Sequence, residues 1–321
     1  MLPAARLPIA ASSAAGLRML SCVGSSASAR RRLQLFQEEK ARQEAERCGT
    51  LEKIIVSTFV HDGEEDRKVD LLMNKNLSTG YDCARQISRH SVQNAALCLR
   101  NGTEIIGLQE ILTEECEIDF LDFIKPRYEN DVNKAYWRAC SLILGSLVQS
   151  SFRGEVFPGM SVAPEIQRGS FAFDAQIKGL KKWEPTAKDL DLLSKRARSA
   201  FIEPQQKIEM LRVPLSIAEE MFGSERLSAE ENLDTLDAGL AVFCVGDHVN
   251  ISNGPVADNI ELVGKFQVAG VEQIGDDSYR FKGVSLPRVQ QSSSYVWNIL
   301  VNAAAAGGTP ETTQRTQEAQ A

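Results

Sequence analysis

Between residues 53 and 123 the chain alternates apolar and polar positions in short runs separated by turn signals. The run IIVSTFV alternates with a period of two, as a half-buried strand does, and Asp62-Gly63 after it is a hairpin turn signal. The elements predicted are strands at 54–60 and 68–73, a helix after Ser78-Thr79, a strand turning at Asn101-Gly102, and a closing strand at 116–123. This order predicts a small β-grasp sheet packed on one helix.

The pattern changes after Pro126 to a helical period. We expect Asn133 to cap a long helix, with apolar residues at the spacing of one buried stripe: Tyr136, Ala139, Cys140, Ile143, Leu144 and Leu147. Further predictions are a helix over 187–200 capped by Thr186 and Asp189, a connection between Pro204 and Pro214, a helical turn at 217–222, strands at 240–245, 266–271 and 279–284, and a C-terminal helix around 295–301. The chain therefore belongs to the α+β class.

The first 37 residues differ in composition from the rest. They are rich in Ala and Ser and have no acidic residue before Glu38, and their arginines are Arg6, Arg18, Arg30, Arg31 and Arg32. Such a segment is typical of a mitochondrial transit peptide, here residues 1–32 with cleavage near Arg30 to Leu33. A tail without a targeting role is the alternative. Residues 33–51 are expected to form a helical connector, which either docks on a partner or is solvated.

Composition limits the remaining choices. The 321 residues are 43% hydrophobic with a net charge of -7, so RNA contacts would be confined to local basic patches. No apolar run is long enough to span a membrane. The seven cysteines are scattered singly without Cys-x-x-Cys spacing, which indicates reduced thiols.

The first region (residues 52–125) resembles the TGS domain, a ubiquitin-like module at the N-terminus of threonyl-tRNA synthetases. The resemblance rests on the opening hairpin, the Ser78-Thr79 helix start, the NGTEI turn and the EECEIDFL ending. Because TGS modules also occur in regulatory GTPases, this resemblance does not assign a function by itself.

The second region (residues 126–289) resembles the second, editing-type domain of threonyl- and alanyl-tRNA synthetases. In threonyl-tRNA synthetases, segments similar to VNKAYWRACSLILG and HVNISNGPV carry a His-x-x-x-His pair and a Cys-x-x-x-His pair that together bind zinc. The matching positions here are Arg138, Leu142, Ser252 and Val256, none of which offers an imidazole or a thiolate. The resemblance implies a scaffold with no catalytic residue, no metal, no cofactor and no small-molecule substrate.

Two other residues near these positions have zinc-binding chemistry. His248 precedes Ser252 by four residues, and Cys140 follows Arg138 by two. Each is either a residual ligand or a core residue, and the apolar helix stripe favours core packing for Cys140. Arg138 is expected to fill the former ligand position by pairing with a carboxylate.

The complete arrangement resembles the family of the mitochondrial large-ribosomal-subunit protein numbered thirty-nine, itself related to threonyl-tRNA synthetase. The most specific stretches are MNKNLST, DVNKAYWRAC and FKGVSLP, and the C-terminal residues 290–321 are expected to form a helix and a disordered tail. This family implies a non-catalytic component of the large subunit that contacts ribosomal RNA and neighbouring proteins. The alternatives are a zinc-dependent deacylase that clears mischarged tRNA and a regulatory module that binds tRNA or a synthetase.

Basic residues mark the candidate RNA contacts. Arg85 and Arg89 are four residues apart in the predicted β-grasp helix, where both could reach phosphates. Solvated surface positions are the alternative for every candidate. The full set is Arg85, Arg89, Lys178, Lys181, Lys182, Lys195, Arg196 and Arg198.

Overall fold

The computed structural model describes residues 26–47, 51–62, 65–162, 166, 169–180, 183–236 and 239–306. Most of the predicted transit peptide and the candidates Lys181 and Lys182 lie outside this part of the chain. The disordered tail was expected after Asn302; the C-terminal helix continues to Ala305, and residues beyond 306 lie outside the described residues. Within it the protein is a mixed α+β structure with three sheets, which confirms the expected class.

The first sheet has five strands in the order β2-β1-β5-β3-β4, with β1 and β5 running parallel at its centre. Ile54 and Val56 point into the core while Ile55 is exposed, so the period-two pattern of the predicted hairpin is observed. Asn101 and Gly102 both have positive φ, as a tight hairpin turn requires. The strands are β1 Lys53–Asp62, β2 Glu65–Asn74, β3 Leu97–Arg100, β4 Glu104–Ile106 and β5 Cys116–Leu121.

Two short helices follow β2, where one was expected, and the first of them contacts the sheet. Helix α2, Gly80–Ile87, begins at a capping box in which Thr79 and Asp82 bond to each other's backbone N–H groups. Ser88 is in an extended conformation and caps the separate helix α3, Arg89–Asn94. The prediction that Arg85 and Arg89 share one helix is therefore wrong. The extended backbone of Ser88 ends α2, and the Ser88 side chain caps the N-terminus of α3.

Helix α4, Glu129–Ser151, is the centre of the larger core. All six residues of the predicted stripe are buried on it. The helix nevertheless begins at Glu129, so the expected cap at Asn133 is wrong. Glu129 and Asp131 lie in the first turn, where acidic groups stabilise the positive end of the helix dipole. Asn133 instead donates from its side chain to the Glu129 carbonyl at 2.7 Å.

Two further four-stranded sheets pack around α4. One has the order β12-β13-β7-β6, and the other has β11-β10-β8 with β9 also paired to β10. Segment 208–213, expected to be a connection, is the edge strand β8. The strands are β6 Val156–Pro158, β7 Phe171–Ile177, β8 Ile208–Val213, β9 Thr235–Leu236, β10 Gly239–Val245, β11 His248–Ile251, β12 Val263–Gln273 and β13 Ser278–Pro287.

The remaining helices pack against these sheets or against one another. Thr186 and Asp189 form the capping box that was predicted for α5, which continues into a π-helical turn. Gly223 ends α6 with a positive φ, as expected for a helix C-terminus. The helices are α5 Ala187–Ala197 with the π turn Arg198–Ile202, α6 Leu215–Phe222, α7 Ser224–Ala229, the 3-10 turn Ile260–Leu262 and α8 Ser294–Ala305.

Helix α1, Ala27–Arg47, packs on this chain's own second region, against β8, β11 and α6. The helix predicted for the connector therefore begins six residues earlier than residue 33, within the range assigned to the leader, and this chain itself covers the inner face of the helix. Its buried residues follow a helical stripe that includes two charged side chains, which hides the stripe from a hydrophobicity pattern. They are Ala29, Arg32, Leu35, Phe36 and Glu39.

The loop after β4 joins the first sheet to the second region. The Gln109 backbone N–H donates to the Asp258 carboxylate at 3.0 Å. The Gln109 side chain donates to the Ile208 carbonyl and accepts from the Met210 N–H, so it supplies hydrogen bonds to the open edge of β8. These contacts satisfy an edge that would otherwise be free to pair with another chain.

No helix among the described residues combines the length and apolar character that a membrane crossing needs. The cysteines placed by the structure are free and buried, in agreement with the expected thiols: Cys83, Cys98, Cys116, Cys140 and Cys244.

Candidate functional site

The two segments that we expect to correspond to the synthetase zinc motifs meet in the structure. Arg138 and Leu142 lie one turn apart on α4, and the loop after β11 crosses the same helix. The Ala257 N–H donates to the Ala135 carbonyl at 3.1 Å, which fixes the loop against α4. Helix and loop thus bring the first three predicted positions to one place.

A small cavity of about 30 Å³ separates the two segments. Arg138, Leu142 and Ser252 line it, whereas Val256 is buried nearby and does not. Such a volume holds roughly one or two water molecules, so no substrate-sized pocket exists at this point. The other lining residues are Ser141, Met160, Ser161, Val162, Ala172, Phe173, Asn250, Ile251 and Asn253.

The Arg138 guanidinium closes one side of this cavity. Its Nη1 donates to the Pro255 carbonyl at 3.1 Å, so its partner is a backbone oxygen and not the expected carboxylate. Gly254, with φ +120°, lies against the guanidinium, where a Cβ would come within 3.1 Å of it. Burial lowers the pKa of Arg138, and the charges of Asp234 and Asp131 oppose that shift. The Arg138 guanidinium therefore occupies space between α4 and the loop after β11.

The side chains at the four positions do not fit a zinc ion. A guanidinium and two branched alkyl groups have no lone pair for a metal, and the Ser252 hydroxyl donates to the Gly254 carbonyl at 3.0 Å. Across the part of the chain that the structure describes, no three His, Cys, Asp or Glu side chains are grouped to hold a metal.

His248 is buried beside this cavity and is held by α4. The Gln149 amide nitrogen donates to the Asp247 carbonyl, which turns its oxygen toward His248 and makes Nδ1–H the donor at 2.8 Å. Phe173 packs edge-on against the imidazole with 5.5 Å between ring centroids. Burial, reinforced by the charges of Arg32 and Arg226, lowers the pKa of His248 to about 3. The ring is therefore neutral at physiological pH and is packed as a core residue.

Cys140 is likewise part of the core. It is fully buried on the inner face of α4, next to Tyr136 and Ser285. Burial raises the pKa of the Cys140 thiol to about 12, although hydrogen bonds to those two residues oppose the shift. A thiol in this environment stays protonated near neutrality and does not serve as a thiolate ligand.

Comparison with known proteins shows which family this chain belongs to. No protein-family model matches the chain. It is 31% identical over 292 residues to the large ribosomal subunit protein mL39 of Drosophila melanogaster, and the alignment covers 86% of this chain and 84% of that protein. The chain belongs to the mL39 family. The family expected from the sequence motifs is thereby confirmed.

A second relative is an aminoacyl-tRNA synthetase. Over 230 residues the chain is 25% identical to a probable cytoplasmic threonine–tRNA ligase 1 of Dictyostelium discoideum. That match includes 69% of this chain but only 30% of the ligase, so the similarity concerns a part of the larger protein.

The structure separates the basic candidates of this mL39-family chain into two groups. Lys178 pairs with Glu155 at 3.0 Å, Lys195 pairs with Asp191 at 2.7 Å, and Arg196 donates to the Ser150 carbonyl. Arg85 is exposed, and its nearest carboxylate is Asp82 at 3.7 Å. Arg89 and Arg198 are exposed and form no ion pair with the residues that the structure describes. None of these basic candidates lines the cavity at Arg138.

One buried ionic cluster was not expected from the sequence. Arg212 on β8 binds Glu110 with both its Nε and its Nη2, the shortest distance being 2.7 Å, and it binds Asp234 at 2.9 Å. All three side chains are largely buried. Nothing in the linear sequence connects positions 110, 212 and 234, because the cluster depends on how the first sheet meets β8.

Proposed function

We propose that this protein is a non-catalytic structural component of the large subunit of the mitochondrial ribosome, where it contacts ribosomal RNA and neighbouring ribosomal proteins. The observation that carries the proposal is the 31% identity to an mL39 protein over 86% of this chain and 84% of the relative. Because both proteins match over nearly their whole length, the similarity concerns the complete architecture and not one shared module.

The proposal includes a TGS-like β-grasp domain over residues 52–125 and an editing-type domain over residues 126–289. A mixed sheet with its first and last strands parallel at the centre supports the first assignment. The partial similarity to a threonine–tRNA ligase supports the second. A helix and a loop that meet at Arg138 and Ser252 are what the two zinc motifs would require.

The non-catalytic assignment rests on the side chains at the four positions that correspond to zinc ligands. A zinc hydrolase needs about three protein ligands and an open position for water. At the four matching positions this chain offers a guanidinium, a hydroxyl and two aliphatic groups, and the cavity they border is about 30 Å³. Hydrolysis of mischarged tRNA has neither a metal site nor room for an aminoacylated end there.

RNA binding, in this proposal, uses local basic residues on an acidic protein. With a net charge of -7, the chain as a whole repels phosphate, so neighbouring proteins would form much of its contact area. Arg89 and Arg198 are the stronger candidates, because the paired Lys178 and Lys195 would first have to give up their carboxylate partners.

Gradient sedimentation tests the main proposal. Mitochondrial lysate from cells that express the tagged full-length chain is separated in sucrose, and fractions are probed for large-subunit RNA, small-subunit RNA and a soluble matrix enzyme. We expect the chain to follow the large-subunit RNA and to stay with it at moderate salt. Recovery in the light fractions with tRNA or a synthetase would contradict the proposal and favour a regulatory module.

Metal analysis tests the enzymatic alternative. The purified full-length chain is expected to contain no stoichiometric zinc and to leave mischarged tRNA intact. One zinc per chain together with deacylation would refute the non-catalytic assignment.

A further inference from the structure

The last helix, α8, is apolar on both of its faces. Trp297 packs on the sheet and donates from Nε1 to the Gln267 side chain at 3.1 Å. Ala304, at the other end of the inner face, lies in a cluster with Ala269 and Val284 of β12 and β13. A helix held on one side only is normally polar on the other.

The outer face of α8 carries large apolar side chains in solvent. Tyr295, Val296 and Ile299 are 76%, 46% and 48% exposed, and their spacing of three and four residues places them side by side. The polar residues on the exposed surface of the helix are uncharged: Ser294, Asn298 and Asn302. Residues of this size in one row on a helix mark an interaction surface.

We propose that this outer face, formed by Tyr295, Val296 and Ile299, docks on an apolar surface of a neighbouring protein in the large ribosomal subunit. The inference rests on the proposed function, since it assigns a surface for one of the contacts that a ribosomal protein makes.

The lack of charge on α8 indicates that the partner of its outer face is a protein. Residues 289–310 contain no charged side chain, so α8 offers nothing to neutralise phosphate. Lys and Arg contacts to phosphate supply most of the affinity of nucleic-acid binding surfaces. An apolar face without charge instead matches the buried centre of a protein interface, where aromatic residues are enriched and charged residues are depleted.

Residues 306–321, which follow α8, do not have the side chains to cover this face. These sixteen residues are Ala, Gly, Thr, Pro, Glu, Gln and Arg, with no aromatic or large aliphatic side chain. A second copy of the chain is also a poor occupant, because three side chains fall far short of the roughly 20 residues per partner in a stable interface. A particle with several neighbours supplies the rest of such a contact.

Site-specific photo-crosslinking tests the inference. The full-length chain is made with p-benzoylphenylalanine at Ile299, large subunits are isolated by sedimentation, and crosslinked peptides are identified after irradiation. The control carries the same group at Leu192 of α5, which is 54% exposed on a different helix. We expect Ile299, and not Leu192, to crosslink to one defined large-subunit protein. Crosslinks from Ile299 to RNA, to a second copy of this chain, or to nothing would overturn the inference.

Charged substitutions provide a second measurement. We expect the double variant Val296→Lys, Ile299→Lys to unfold like the wild type, because both side chains are half exposed. Its recovery in large subunits should fall about tenfold or more, as when interface hot-spot residues are removed. Leu192→Lys should be recovered normally. Equal recovery of the double variant and the control would overturn the docking surface.

The two experiments distinguish this inference from the proposed function. A wild-type chain that does not sediment with the large subunit contradicts the proposed function. A wild-type chain that does sediment, with an Ile299 position that contacts no protein, contradicts the docking surface alone.

Discussion

Replacing Gly145 by alanine tests how tightly α4 is packed against the strands around it. Gly145 lies in the middle of α4, where His248 of β11 and Phe173 of β7 approach the helix backbone. A Cβ at this position would lie 2.5 Å from His248 Nε2 and 2.8 Å from Phe173 Cε2. Alanine is the better helix former, so a purely local argument predicts a gain in stability.

The tertiary contacts predict a loss of stability instead. Carbon atoms in contact lie about 3.5 Å apart, so the imidazole and the phenyl ring must retreat by roughly 1 Å. Overpacking of this kind costs about 1–3 kcal/mol. Straining the buried hydrogen bond between His248 and Gln149 adds about 1 kcal/mol. The helix propensity gain returns about 1 kcal/mol. We therefore expect Gly145→Ala to lower the free energy of unfolding by about 2 kcal/mol.

Urea unfolding of the purified full-length chain, followed by far-ultraviolet circular dichroism, measures this change. Ser150→Ala is the matched control, because Ser150 is exposed near the end of the same helix and should tolerate alanine. In a double-mutant cycle the penalty of Gly145→Ala should shrink when His248 is also replaced by alanine. An unchanged or increased stability of Gly145→Ala would refute the packing argument, as would an equal penalty in both backgrounds.

Two further predictions concern buried charges. Burial raises the pKa of Asp258 to about 7 and lowers that of His248 to about 3. Between about pH 4 and 6.5, Asp258 keeps a proton in the folded protein but loses it on unfolding, so its contribution to stability grows as pH falls. His248 has the opposite effect over the same range. It is neutral in the folded protein and takes up a proton on unfolding, so its contribution shrinks as pH falls. Asp258→Asn should therefore be more stable than the wild type near pH 8. On acidification the free energy of unfolding of the variant should fall more steeply than that of the wild type, by up to about 1.4 kcal/mol per pH unit. The same dependence of that free energy on pH in both proteins would contradict this. Glu110→Gln should lower the free energy of unfolding by about 3 kcal/mol, because it takes one carboxylate from the buried Arg212. The control Glu117→Gln breaks an exposed pair and should be nearly neutral, so equal effects of the two variants would show that the buried cluster is not stabilising.

The elements that the sequence predicts well are those with a local physical cause. The hairpin of β1 and β2 follows from alternation with a period of two, and the α4 stripe follows from helical spacing. The capping box of Thr186 and Asp189 needs residues only three positions apart. In each case the interacting groups are near one another in the chain, so their pattern can be recognised without knowledge of the fold.

The elements that it misses depend on distant partners. Strand β8 lies between two prolines, and its edge is satisfied by the Gln109 side chain from the first sheet. Helix α1 buries Arg32 and Glu39, which no hydrophobicity pattern assigns to a core. The break between α2 and α3 at Ser88 is local, but serine is common in loops and helices alike and does not mark such a break by itself.

The candidate site shows the same division. The resemblance to the synthetase motifs selects Arg138, Leu142, Ser252 and Val256 as the positions to compare, and none of their side chains offers an imidazole or a thiolate. The small cavity, the position of Val256 outside it and the backbone partner of Arg138 all depend on how the loop after β11 crosses α4.

For this protein, the resemblance of its motifs to a known family indicated the family, and hydrophobic periodicity indicated the α+β class, because both are read from residue type and from separation along the chain. Only the tertiary structure decided which charges are buried, which apolar face of α8 is left open, and what surrounds Arg138. Burial and pairing are set by contacts between residues that are far apart in sequence, and a linear pattern does not contain those distances.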